Sequence, residues 1–274
     1  MKNSLTNTTT LSKKSLLKNS SEPSETSRSL NPRDDTTELT RYYGTEGNNV
    51  IVTAYNDSNE VYGYGGNDVV IGGRFNDKIY SGTGSDTLYG QDGDDNLYGG
   101  NDNDIVSGGS GIDHLWGEDG NDSLYGEGDA DYLEGGKGDD TIYGGDGNDY
   151  IMGGDGKNYI DGGDGNDALY YSSAVWLPGP GYLGANSVLG GNGDDVIIGN
   201  GGDGFAYTGS ISQVLGGRGN DVILGSAMGE VLSGGRDEDL VAGRDGGDRL
   251  EIGTGEGYAS ARDGNDVYPG GKDY

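Results

Sequence analysis

The sequence predicts an all-β, parallel solenoid, and three observations carry that prediction. Glycine and aspartate recur at a nine-residue spacing from Gly63 to Tyr170, and an apolar residue returns at one fixed place in every repeat. The third is the scarcity of large apolar residues: among 274 residues there are 59 Gly but only 2 Phe, 2 Trp and 3 Met, so any core must be thin and built from Val, Ile and Leu. Glycine this abundant without a period would indicate disorder. With a period it indicates stacked turns.

Taken in chain order, residues 1–44 are rich in Ser, Thr, Asn and Lys and show neither helical nor strand periodicity. Such a composition buries too little apolar surface to offset ordering entropy, and a disordered N-terminal arm is expected. Residues 45–170 form the main repeat block. From Gly63 it divides without gaps into nine-residue units such as GQDGDDNLY, GEDGNDSLY and GGDGNDYIM; the start, at GNNVIV from Gly47, is degenerate. Residues 171–189 break the period, and Pro178, Gly179, Pro180 and Gly181 argue for a loop projecting from the stack. Residues 190–274 hold a second, eroded block: GGNGDDVII resumes at Gly190, Asn200 to Leu215 is irregular, and units run in phase from Gly216 to Pro269.

Within a unit, glycines at the first, second and fourth places allow positive φ, so six residues make a turn and the last three, often β-branched or aromatic, make a short strand. The eighth place points inward. It holds Val70, Ile79, Leu88, Leu97, Val106, Leu115, Leu124, Leu133, Ile142, Ile151, Ile160 and Leu169, whereas the seventh and ninth places are mixed. Two units make one coil of 18 residues and place turns alternately on two edges.

The sixth-place aspartates therefore stack in columns. One carries Asp68, Asp86, Asp104, Asp122 and Asp140; the other carries Asp77, Asp95, Asp113, Asp131, Asp149 and Asp167; the later block adds Asp195, Asp221, Asp239, Asp248 and Asp266. Strands in a sheet lie about 4.8 Å apart, so bare carboxylates at that spacing repel strongly, and a cation between successive turns removes the repulsion. The donors are hard oxygens, without His or Cys in the turns, which favours several Ca2+ ions over zinc or copper. One ion in each gap of the main block gives about nine.

The units resemble the repeats-in-toxin (RTX), haemolysin-type calcium-binding nonapeptide, glycine-glycine-x-glycine-x-aspartate-x-apolar-x, and GGDGNDYIM at 144–152 matches every defined place. The resemblance implies a right-handed parallel β-roll, sixth-place Asp and turn carbonyls as calcium ligands, export through a type I secretion channel, and folding on calcium loading outside the cell. Asn158, Glu230 and Gly257 stand at the sixth place, so those turns lack the Asp, and Phe75, Asp102, Asp129, Met228 and Asp237 replace the fourth-place Gly. The family's usual C-terminal secretion signal is not apparent after Pro269.

Charge narrows the partners. The chain carries a formal net charge of −30, and all the excess lies beyond residue 45, where 42 acidic face 10 basic side chains. That field repels nucleic acid and anionic lipid. No 18-residue apolar run marks a transmembrane segment, no apolar stretch near the start marks a Sec-type signal, and the absence of Cys excludes thiolate metal sites. There is no His-Glu-x-x-His, Gly-x-Ser-x-Gly or phosphate-loop motif, and His114 is the only histidine, so the expectation is a secreted or cell-surface binding and structural protein and not an enzyme. Outward aromatics (Tyr80, Tyr98 and Trp116 on one sheet; Tyr89, Tyr125 and Tyr143 on the other) read as cross-strand packing. The alternatives are a carbohydrate-binding or adhesive surface that uses these rings or the loop with Trp176 and Tyr182, and the repeat portion of a larger secreted enzyme or toxin.

Overall fold

In the computed structural model the described residues are 25–27 (backbone only), 39–171, 186–199, 212–226, 229–255, 257–261 and 266–267. They form two twelve-stranded parallel sheets, with alternate strands in alternate sheets, so the chain winds as a flattened solenoid. Equivalent residues stack in register: Leu97, Leu115, Leu133 and Ile151 pair along one sheet, and Leu88, Val106, Leu124 and Ile142 along the other.

The inward row of each coil follows the pleat. Side chains alternate across a strand, so the sixth, eighth and first places of consecutive units face inside together. The eighth-place residues from Val70 to Leu169 are all 0 % exposed. They are flanked by a buried sixth-place residue, Asp in every unit except that of Asn158, and by a buried first-place residue, Gly except at Ser81 and Tyr171. The core is thus two files of Val, Ile and Leu, one from each sheet, between two carboxylate columns.

Four boundaries differ from the sequence reading. The strands are longer than three residues: in the well-formed units they span six, as in Lys78–Thr83 and Asn96–Asn101, because the first three places of the following unit also run extended. The arm assigned to residues 1–44 is shorter at its C-terminal end. Thr40–Tyr43 pair with Asn59–Tyr62, held by buried Tyr42 at the inward place and by Arg41 Nε on the Glu60 carboxylate at 2.6 Å, and the backbone of Glu25–Ser27 pairs with Asn49–Ile51. The other residues of 1–38 lie outside the described residues. The loop assigned to 171–189 ends sooner, since Ser187–Asn192 is a strand with Val188 inward. Ser212–Leu215, read as irregular, belong to the strand Ser212–Arg218 with Val214 inward. In these last cases one apolar residue in the inward file restores the coil without the glycine and aspartate signature.

The degenerate first coils are built the same way. Ile51 and Val61 are fully buried, and Asn49 and Asn59 take the sixth place.

Candidate metal centres

Each sixth-place aspartate ends a turn and starts a strand, and its two carboxylate oxygens have different fates. Oδ1 accepts the backbone N–H of the equivalent residue one coil earlier: Asp68 N to Asp86 at 2.7 Å, Asp86 N to Asp104 at 2.8 Å, Asp104 N to Asp122 at 2.8 Å. Oδ2 is buried without a hydrogen-bond partner in fourteen of the sixteen aspartates: Asp68, Asp86, Asp95, Asp104, Asp113, Asp122, Asp131, Asp140, Asp149, Asp167, Asp195, Asp221, Asp239 and Asp248. A buried carboxylate oxygen without a partner is costly, and one that recurs in nearly every turn marks a missing positive group.

The first-place glycine shows what surrounds that oxygen. A Cβ added at Gly99 would lie 2.6 Å from Asp104 Oδ2 and 3.0 Å from the Gly117 carbonyl oxygen of the next coil. Asp95 Oδ2 with the Gly108 carbonyl, Asp131 with Gly144 and Asp149 with Gly162 repeat this arrangement on the other edge. Carboxylate and carbonyl oxygens thus converge on a small space that only glycine leaves open. Among the described residues no group of three or more His, Cys, Asp or Glu side chains converges so as to hold a metal ion by itself. An ion held here draws on stacked carboxylates and backbone carbonyls, the oxygen set that suits calcium.

Two of the sixteen differ. In the turn that carries exposed Phe75 at the fourth place, Asp77 Oδ2 accepts the Gly73 N–H at 2.7 Å, and Asn59 Nδ2 donates to its Oδ1. Asp266 is only partly buried, although its Oδ1 accepts the Asp248 N–H. The acidic fourth-place substitutions keep the turn instead of breaking it. Asp102, Asp129 and Asp237 adopt positive φ, and their carboxylates accept the N–H of Gly84, Gly111 and Gly219 one coil earlier.

The columns run further than the main block. Asp167 N donates to Asp195 Oδ1 and Asp195 N to Asp221 Oδ1, at sequence separations of 28 and 26, so one edge carries nine carboxylates in sequence from Asp77 to Asp239. The other edge runs from Asp68 to Asp140, passes through Asn158, Asn186 and Ser212, and becomes acidic again at Glu230, Asp248 and Asp266.

Burial dominates the electrostatics. It pushes Asp95, Asp104 and Asp131 up to about 8 and Asp113, Asp140, Asp195 and Asp221 up to about 7; the donated backbone N–H opposes the shift and like charges in adjacent turns add to it. Asp68, Asp122, Asp149, Asp167 and Asp248 rise to about 6, again chiefly by burial. A cation beside Oδ2 acts in the opposite direction.

A second set of side chains was not assigned a role by the sequence reading. Fifth-place Asn and Asp form an outer ladder of reversed direction, each accepting the N–H one coil later: Asn67 from Ser85, Asn76 from Asp94, Asn121 from Asp139, Asn148 from Asn166 and Asp194 from Asn220. Their recurrence at the fifth place is the signal that identifies them. On the sheet face, Tyr43, Tyr62, Tyr80, Tyr98 and Trp116 stack with centroids 5.6 to 4.4 Å apart and planes within 13°. Tyr62, Tyr80 and Tyr98 each lie between two neighbouring rings of this stack. His114 lies between Trp116 and Tyr132 in the same aromatic row. No helix among the described residues is long and apolar enough to cross a membrane.

Comparison with known families agrees with this geometry. The RTX calcium-binding nonapeptide repeat matches residues 43–79, 71–106, 80–115, 107–142, 143–173, 180–206 and 213–227, well over half of the chain, while no curated protein sequence matches it. A parallel solenoid in which every regular turn closes on a buried aspartate is what these repeats build, and the chain belongs to the RTX calcium-binding nonapeptide repeat family.

Proposed function

We propose that this protein is a non-catalytic calcium-loaded rod, exported through a type I secretion channel and folded outside the cell, with the sixth-place aspartates as its calcium ligands. The observation that carries the reading is the row of fourteen buried, partnerless Asp Oδ2 atoms, ten of which lie with a carbonyl oxygen of the next coil about the first-place glycine of their turn. Calcium, when bound, supplies the positive charge and the coordination that these oxygens lack. The aspartates contribute twice: Oδ1 ties neighbouring coils through the backbone N–H, and Oδ2 faces the cation. First-place glycines keep the space open, and the eighth-place apolar file excludes water from one side of it. Since these oxygens converge only when coils are stacked, binding free energy becomes folding free energy. Export of an uncompacted chain and folding where calcium is abundant are what the family resemblance implies, and that coupling and the net charge of −30 are compatible with them.

The test is native mass spectrometry of the chain at saturating calcium, with magnesium as control. Asp131 borders two gaps of the nine-carboxylate edge. The expected outcome is several calcium ions on the native chain, few or no magnesium ions, and a loss of about two calcium ions in Asp131→Asn. Equal calcium and magnesium uptake, or a count unchanged by Asp131→Asn, would contradict the reading.

A further inference from the structure

The aromatic row on the outer face of one sheet is finished differently at its two ends. At the first end the rings have cations of their own. Arg41 Nε lies 2.6 Å from Glu60 Oε2, while Glu60 Oε1 accepts the Tyr62 hydroxyl at 2.7 Å. Lys78 Nζ stands 5.1 Å from the centroid of Tyr80 and 5.9 Å from that of Tyr98. Ring, glutamate and cation thus form one set on adjacent strands.

The other end repeats the ring and the glutamate without the cation. Trp116 closes the stack: its ring lies 4.4 Å from that of Tyr98 with planes 2° apart, and the register places Glu134 opposite it on the following strand. The indole face turned away from Tyr98 therefore has no parallel ring upon it. Tyr132 stands beside it, centroids 6.0 Å apart and planes tilted by 48°, and donates its hydroxyl to Glu134 Oε2 at 3.3 Å. Burial first and the Glu134 charge second push that hydroxyl up to about 12. Two places beyond Trp116, Glu118 is exposed. Its backbone is held at φ 76° between the register partners Gly100 and Gly136, so the chain keeps a carboxylate at a place that suits glycine. Among the described residues no lysine or arginine stands over Trp116 or pairs with Glu118 or Glu134, and Lys137 on the neighbouring strand is engaged by Asp119 at 2.7 Å.

The geometry also selects the kind of cation. Stacked groups in this row lie 4.4 to 5.6 Å apart with planes within 13°, so a planar cation continues the row, whereas a tetrahedral ammonium does not. A guanidinium is planar, stacks on aromatic faces and presents paired N–H donors to a carboxylate. The chain makes such a contact elsewhere, with Arg74 Cζ 4.3 Å from the centroid of Tyr55. The net charge of −30 raises the local concentration of any cation.

We propose that Trp116, Tyr132, Glu134 and Glu118 form a binding site for a guanidinium group, carried by the arginine side chain of a polypeptide or by a small guanidinium compound. The free indole face is the stacking wall and the two glutamates are the acceptors. The site lies on the sheet face and needs the fold alone, so it stands apart from the calcium reading of the turns.

The test follows the two tryptophan indole N–H signals of the full, calcium-loaded chain by NMR with 15N-labelled tryptophan, assigned with Trp116→Phe or Trp176→Phe. Ethylguanidinium is titrated against ethylammonium at equal ionic strength. The expected result is a saturable shift of the Trp116 signal, at least about tenfold tighter for ethylguanidinium than for ethylammonium, and about fivefold weaker in Glu134→Gln. A Trp116 signal that does not move, that moves equally with both cations, or that titrates unchanged in Glu134→Gln overturns the proposal and leaves only the diffuse acidic field. N-acetylarginine N-methylamide then separates the two sources. Binding as tight as that of ethylguanidinium supports a polypeptide-borne arginine, and weaker binding supports a small guanidinium compound.

Discussion

A carboxylate with one satisfied and one unsatisfied oxygen sets the behaviour of this protein at the scale of single residues. Glycine holds the first place in most of these turns because a Cβ there would press on Oδ2, Ser81 in the Asp86 turn being the small exception. Gly99→Ala would put a methyl group 2.6 Å from Asp104 Oδ2, and overpacking at such a site costs about 2 kcal/mol. The expected outcome is a lower melting temperature in calcium and the loss of at least one bound ion, read by thermal denaturation and ion counting. The raised carboxyl groups predict an unusual pH dependence. The folded-state values of about 6 to 8 lie above the unfolded value of 3.8, so between those limits the folded chain binds more protons than the unfolded one. In chelator, their contribution is therefore present in full below about pH 4 and lost as pH rises through 6 to 8. In EDTA, any residual β content read by circular dichroism should fall from pH 5 to pH 8. In calcium the trend should reverse, since protons then compete with the metal for the same oxygens. A calcium-free β content that rises with pH would contradict the assignment.

The structural element is the coil, and its stability rests on one inward side chain per strand. Leu124 is fully buried between Val106 and Ile142 in its own sheet. Leu124→Ala is expected to lower stability by about 3 kcal/mol, measured by denaturant unfolding in calcium, because each sheet contributes only one apolar file to the core and the deleted side chain leaves a cavity in it. Trp116→Ala removes a ring stacked on Tyr98 at the outer face and should cost about 1 kcal/mol. Much of the coil was legible in the sequence: the eighth-place apolar file and the sixth-place aspartates repeat at a fixed period, and both landed where that period predicts. The less legible parts lack the period. Thr40–Tyr43 joins the roll through Tyr42, which carries no glycine or aspartate signature, and Asn186 and Ser212 take the sixth place after insertions that hide the spacing. The fifth-place ladder was visible as recurring Asn and Asp, but its function depends on which backbone N–H lies one coil away, and that is a property of the stacked turns.

At the scale of the whole molecule, charge and topology pull in opposite directions. Two parallel sheets bring the carboxylates of successive coils into adjacent turns, and the chain as a whole carries a net charge of −30. Stacking without counter-charge is opposed along the whole length of both columns. The nine acids from Asp77 to Asp239 enclose eight gaps, and one divalent ion in each would more than offset their own charge, with the surplus compensating neighbouring acids. The account therefore centres on folding that depends on calcium. The most direct measurement is far-UV circular dichroism of the purified chain, stripped with chelator and titrated with calcium to millimolar concentration, with magnesium in parallel. The prediction is a cooperative change from a coil-like to a β spectrum with calcium and none with magnesium. A β spectrum that is the same in chelator, magnesium and calcium would contradict it.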